Sequence, residues 1–165
     1  MRVIDADGHV EENLDTFSDK YLDPSYRTLR PRVTGIEGLA YWVIDEQLYP
    51  RRVGPGCHNL GTPTNVNGQV AVHSLGKQES IGSMELTDLA ARVKAMDDEE
   101  IAVQVIYTTL FLAYPLTTNV PLASALTSAY NRWMGDRLAG NPRIKWAAVV
   151  NLDDVRGAVA QVREA

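Results

Sequence analysis

The opening run Val3-Ile4-Asp5-Ala6-Asp7-Gly8-His9 places two carboxylates and an imidazole at alternate positions behind a short apolar lead. If Val3 to Asp7 is a β-strand, its two-residue period puts Asp5, Asp7 and His9 on one face. A carboxylate and an imidazole two residues apart at a strand end can grip one divalent cation from the same side. Asp7 and His9 are therefore the candidate metal ligands. The competing reading is a strand-end turn in which Asp7 hydrogen-bonds backbone around Gly8, and triplets of this kind also arise by chance. Asp5 lies one layer deeper and is expected to be a buried carboxylate satisfied by backbone or by a neighbouring strand.

Other reactive side chains follow. Glu12 is either a partner that orients a ligand or a solvated loop residue, and Glu11 sits beside it. Cys57-His58 invites a nucleophile reading, but adjacent side chains on an extended backbone point opposite ways and no partner spacing supports it. His73 is the candidate substrate contact, set against the ordinary role of a solvent-exposed loop histidine. The single Cys57 excludes an internal disulfide and a multi-cysteine metal cage. A net charge of −5 without a basic cluster argues against a nucleic-acid partner. No leader pattern opens the chain and no apolar run reaches membrane-spanning length, so no membrane partner and a cytoplasmic location are expected.

The elements that must hold these residues come in two styles. Residues 10–82 read as a long irregular excursion punctuated by prolines and glycines, within which 41–44 and 47–49 suit a hairpin around Asp45-Glu46. Its Gly-, Pro-, Asn- and Thr-rich part, 54–76, reads as an ordered cap or lid. From Ser83 onward the pattern is a regular αβαβα. Leu86, Leu89, Ala90, Val93 and Met96 recur at helical spacing behind Ser83 as N-cap, and the helix is expected to finish by Asp97 in a solvated acidic end. Val103–Tyr107 is a β-rich run. Pro121 opens a second helix with Leu122, Ala125, Leu126, Ala129, Trp133 and Leu138 inward, ended by Gly140-Asn141-Pro142. Trp146–Val150 reads as a third strand, and Asp153-Asp154 start a third helix. Alternating helices and apolar strands predict a parallel α/β sheet with right-handed crossovers. Its functional end is the carboxyl end of the strands, where Asp7-Gly8-His9, Tyr107-Thr108-Thr109 and Asn151-Leu152-Asp153 fall.

The sequence resembles the amidohydrolase superfamily, and more closely its amidohydrolase-related branch of aminocarboxymuconate semialdehyde decarboxylase and γ-resorcylate decarboxylases. The resemblance is carried by residues 3–10 with Glu12, by Tyr21-Leu22-Asp23-Pro24 with Tyr26-Arg27, and by Ala91-Arg92-Val93 with Met96-Asp97. Ile101 with 103–107 and Ala129-Tyr130-Asn131-Arg132-Trp133 complete it. It implies the N-terminal part of a distorted (β/α)8 TIM-like barrel with a long insertion after the first strand, all 165 residues belonging to one domain. It also implies one divalent metal, with Asp7 and His9 as an acid-x-His variant of the first-strand ligand pair. Zinc is the default, and an Asp-containing set also suits manganese or iron. A later-strand His and Asp would complete the site. Three of eight strands leave a barrel open, so the C-terminal remainder is expected in the same chain or from a partner, with a homo-oligomer also possible.

Two functions of different class follow. One is a metal-dependent enzyme acting on a small organic substrate, by hydrolysis through metal-activated water or by non-oxidative decarboxylation. The other is a non-catalytic structural half whose barrel is completed elsewhere. A nucleotide-binding sheet is disfavoured because no Gly-rich loop follows the first strand.

Overall fold

The computed structural model of the protein describes residues 3–36, 39–49, 65–66, 69–70, 80–113 and 115–164. Strands β1 (Val3–Val10), β7 (Ile101–Thr108) and β8 (Ile144–Trp146) form a parallel sheet in the order β1-β7-β8. The parallel pairing, with helical segments between the strands, gives the parallel α/β arrangement that the sequence predicts. Among the described residues β1 is an edge strand.

Within the excursion, β2 (Arg32–Ile36), β3 (Leu39–Ile44) and β4 (Gln47–Tyr49) make an antiparallel meander. The predicted hairpin is present. Its two turn residues, Asp45 and Glu46, both hold positive φ, the conformation of a type I′ turn, here without glycine. Of 54–76 the structure describes only the short antiparallel pair β5 (Asn65–Val66) and β6 (Gln69–Val70). Cys57, His58 and His73 lie outside the described residues.

The helices depart from expectation in one place. A single turn, α1 (Ile81–Met84), precedes α2 (Leu89–Asp98), whose N-cap is Asp88, with a side chain that accepts from Ala91 N–H at 2.9 Å. Ser83 is not the cap; it is buried inside α1, and Leu86 breaks the chain between the two with φ +53. The inward face of α2 carries Arg92 and Met96 as its buried residues, while Ala90 is exposed. Helix α3 (Val120–Leu138) starts on an Asn119 cap and buries all six residues expected to point inward. Gly140, at φ +77, takes the left-handed conformation just past its end. Helix α4 (Val155–Glu164) begins behind Asp154, whose carboxylate accepts from Gly157 N–H.

The third strand is also displaced. Only Trp146 of the expected 146–150 run lies in a strand; β8 starts earlier, at Ile144, and its pairing with β7 ends with Ala147 N–H on the Ile106 carbonyl. Beyond that point the Asn131 side chain replaces the ladder, donating to the Val149 carbonyl at 2.7 Å and accepting from its N–H at 2.9 Å. The backbone groups are satisfied without a strand partner.

One contiguous core joins the two sheets. Trp133, Tyr130, Leu126 and Met134 of α3 pack with Ile106 of β7, with Trp42 and Ile44 of β3, and with Phe17 and Phe111 from 3-10 turns at Leu14–Phe17 and Leu110–Ala113. Phe17 meets Trp42 edge-on at 5.7 Å and Phe111 meets Tyr130 at 5.4 Å. The described part of the excursion up to Tyr49 is therefore integral to the fold, and it follows directly on the strand end where Asp7 and His9 stand.

Candidate metal centre

A β-bulge builds the site. Asp5 pairs with Gln104 and Gly8 with Ile106, so three steps on β1 oppose two on β7. The extra residue flips the faces. Asp5 shares the helix-covered face with Gln104, whereas His9 shares the opposite face with Tyr107, its ring 6.2 Å from the tyrosine ring. The expectation that Asp5, Asp7 and His9 line one face fails here, because it assumes an unbroken period. Asp5 is satisfied as foreseen: it accepts from Gln104 Nε2 at 2.6 Å and from Asp7 N–H at 3.0 Å. It is half-buried rather than buried.

Gly8 is required at the bulge. A Cβ there would lie 2.8 Å from both Cγ and Cδ of Gln104, whose side chain crosses beneath it. Gln104 is held in turn by Arg92, which donates through Nε to Gln104 Oε1 at 2.9 Å and through Nη2 to the His9 carbonyl at 3.1 Å. Helix α2 thus fixes both the bulge and the main chain of His9 by one buried guanidinium.

Asp7, within the bulge, and His9, just past it, converge. Nε2 of His9 lies 3.7 Å from Oδ1 of Asp7; the imidazole is 38% exposed and the carboxylate 93%. Two ligand atoms on one tetrahedral zinc, at bonds of about 2.0–2.2 Å, stand about 3.4 Å apart. The pair fits that spacing after a shift of a few tenths of an ångström. The tautomer fits as well. Nδ1 lies 3.1 Å from the Thr108 carbonyl, which can only accept, so Nδ1 carries a proton, and in the neutral ring Nε2 then presents its lone pair towards Asp7. A lone pair facing a carboxylate is an arrangement that a cation between them stabilises. Among the described residues no group of three or more His, Cys, Asp or Glu is placed to hold a metal, so these two are what the described chain brings together.

Behind the site lies a buried carboxylate. Glu12 is 2% exposed, and accepts from the Thr108 hydroxyl on one oxygen and from Leu110 N–H at 2.8 Å on the other. Burial raises its pKa to about 7, against the lowering effect of those hydrogen bonds. Glu11 is raised to about 8, by burial first and then by the charges of Glu12 and Glu85. Glu12 is therefore not a solvated loop residue. Thr108 falls at the strand end that the sequence marks as functional, whereas Gln104 and Arg92 are not singled out by the sequence as site residues. Their signals were a polar residue inside an apolar strand and an arginine on the inward stripe of a helix.

A scan against protein-family models finds no match, and a search of curated proteins finds none. Among solved structures the chain is similar to an amidohydrolase of Mycobacterium avium subsp. paratuberculosis K-10. The TM-score is 0.67 at 22% sequence identity, over 99% of this chain and 46% of that one. The chain has the fold of part of an amidohydrolase. It spans less than half the length of the protein it matches. Among the described residues no helix is long and apolar enough to cross a membrane.

Proposed function

We propose that the chain is the first part of a metal-dependent hydrolase of amidohydrolase type, in which Asp7 and His9 hold one divalent ion, with zinc the first choice and manganese or iron alternatives. The observation that carries this reading is the convergence of His9 Nε2 and Asp7 Oδ1 at the carboxyl end of a parallel strand, with Nδ1 tied to a backbone carbonyl. Bound there, the ion would lower the pKa of a coordinated water and polarise a substrate oxygen. The chain's own residues supply the setting. Arg92 and Gln104 hold the bulge, Thr108 fixes the imidazole, and Tyr107, 38% exposed, offers a wall beside the His9 ring to a small organic substrate. His73, outside the described residues, is proposed as a substrate contact.

Two ligands do not make a tight divalent site, so a further His and Asp are assigned to polypeptide that completes the barrel. Two features support that assignment: the chain matches only 46% of its structural neighbour, and α4 leaves a stripe of Val155, Val159 and Val162 uncovered. The same scaffold would also serve a non-oxidative decarboxylase, which the sequence resemblance favours.

The test is metal content and turnover of the complete protein, with and without His9→Ala and Asp7→Asn. A panel of small amides, esters and aromatic carboxylic acids distinguishes hydrolysis from release of carbon dioxide. Stoichiometric metal and activity lost together in both variants is the expected result. Activity that survives both substitutions contradicts the proposal.

A further inference from the structure

We propose that Glu12 is a positioning residue that sets the tautomer of His9. Its carboxylate closes the turn that follows β7: one oxygen accepts from the Thr108 hydroxyl and the other from Leu110 N–H at 2.8 Å. The same hydroxyl accepts from Phe111 N–H at 3.0 Å, so three consecutive steps of backbone are pinned around one buried group. The peptide oxygen left facing the site is that of Thr108, and it receives Nδ1–H of His9 at 3.1 Å. The Thr109 hydroxyl, 3.5 Å from Nδ1, makes the longer and weaker of the two contacts to that nitrogen.

A free histidine side chain prefers its proton on Nε2, and in that form it cannot ligate through Nε2. The fixed carbonyl reverses the preference. Arg92 holds the His9 main chain independently, through the carbonyl at 3.1 Å, so what Glu12 controls is the ring rather than the strand. Glu12 thereby acts on the exposed site through a peptide group, without touching Asp7 or substrate.

The tautomer stands on this geometry alone; only its effect on metal affinity rests on the reading of Asp7 and His9 as ligands. Long-range 15N–1H NMR of the complete, metal-free protein at about pH 8, where histidine is ordinarily neutral, reads which ring nitrogen is protonated. Wild type is expected to show Nδ1–H, and so is Glu12→Gln, which keeps an acceptor for Leu110 N–H and a polar group for Thr108. Glu12→Met has similar length and no polar end group, and should return His9 towards the Nε2–H form. Titrated with zinc alone, Glu12→Met should bind about 10–100-fold more weakly than wild type, with Glu12→Gln close to wild type. Where Glu12→Met does not fold, Thr108→Val removes one anchor of the turn while keeping the carbonyl, and should show a smaller shift in the same direction. Nε2–H in wild type overturns the proposal. So does unchanged Nδ1–H in Glu12→Met, or in Thr108→Val where Glu12→Met does not fold. A tautomer that follows Glu12 in a protein that binds no zinc supports the positioning role and refutes the metal reading.

Discussion

Glu12→Gln should make the protein more stable relative to wild type at neutral pH than at acid pH. In the unfolded chain this carboxyl titrates near its ordinary 4.5, and in the folded protein burial raises it to about 7. The folded state therefore binds the proton more tightly. The resulting contribution to stability is complete below pH 4.5 and is lost as the pH rises through 7. At about 1.4 kcal/mol per pH unit, the whole displacement is worth about 3 kcal/mol, most of it falling between pH 5 and pH 8. Glutamine is isosteric, never charges, and can accept from Leu110 N–H while donating to the Thr108 hydroxyl, so it escapes this loss. Glu11 changes in the same sense, because part of its own displacement to about 8 comes from the Glu12 charge. Urea unfolding of both proteins at the two pH values measures the effect. The stability difference should move by about 2–3 kcal/mol in favour of the variant between pH 5 and pH 8, equivalent to roughly 5–10 °C in Tm for a chain of this size. A difference that stays constant would mean that Glu12 does not titrate from a buried position, and would refute the reasoning.

Gly8→Ala should cost about 1–3 kcal/mol, because the new Cβ meets the Gln104 side chain at 2.8 Å. Combining it with Gln104→Ala should lose less than the sum of the two single losses in a thermal-melt double-mutant cycle. Asn131→Ala leaves both the N–H and the carbonyl of Val149 without their side-chain partner, for a loss of about 2–3 kcal/mol by denaturant unfolding and faster amide exchange at Val149. Asp88→Ala should cost about 1 kcal/mol by the same assay as the cap of α2 is lost. Ser83→Ala, which removes a buried hydroxyl without a hydrogen-bond partner among the described residues, should cost nothing or stabilise slightly.

Much of the architecture was legible because it follows from local rules. The span of α3 is written in the inward spacing from Leu122 to Leu138, with proline at its start and Gly140 past its end. The hairpin at 41–49 follows from two β-rich runs two residues apart. What failed depended on tertiary pairing. The period of β1 is interrupted by a bulge that exists only because β7 opposes it in a particular register; Gly8 inside a strand was its one local signal. The 146–150 run is apolar whether or not a ladder forms, and Asn131, fifteen residues before Trp146, decides that it does not. Ser83 and Asp88 are both good cap residues, and the choice between them rests on the reversal at Leu86. For the site, Asp7 and His9 could be nominated from spacing. Glu12 could be nominated beside them as one of two readings, and its contacts with the turn after β7 decide between the two. Arg92 and Gln104 could not be nominated, since they act through contacts between β1, α2 and β7.

A divalent ion held jointly by His9 Nε2 and Asp7 must report on both residues. The most direct measurement is the 15N spectrum of the His9 ring in the complete protein as zinc is added, repeated with Asp7→Asn. A stoichiometric displacement of the Nε2 resonance, with Nδ1 still protonated and with affinity sharply reduced in Asp7→Asn, is the predicted result. An Nε2 resonance that stays in place while zinc binds elsewhere, or zinc affinity indifferent to Asp7, would contradict it.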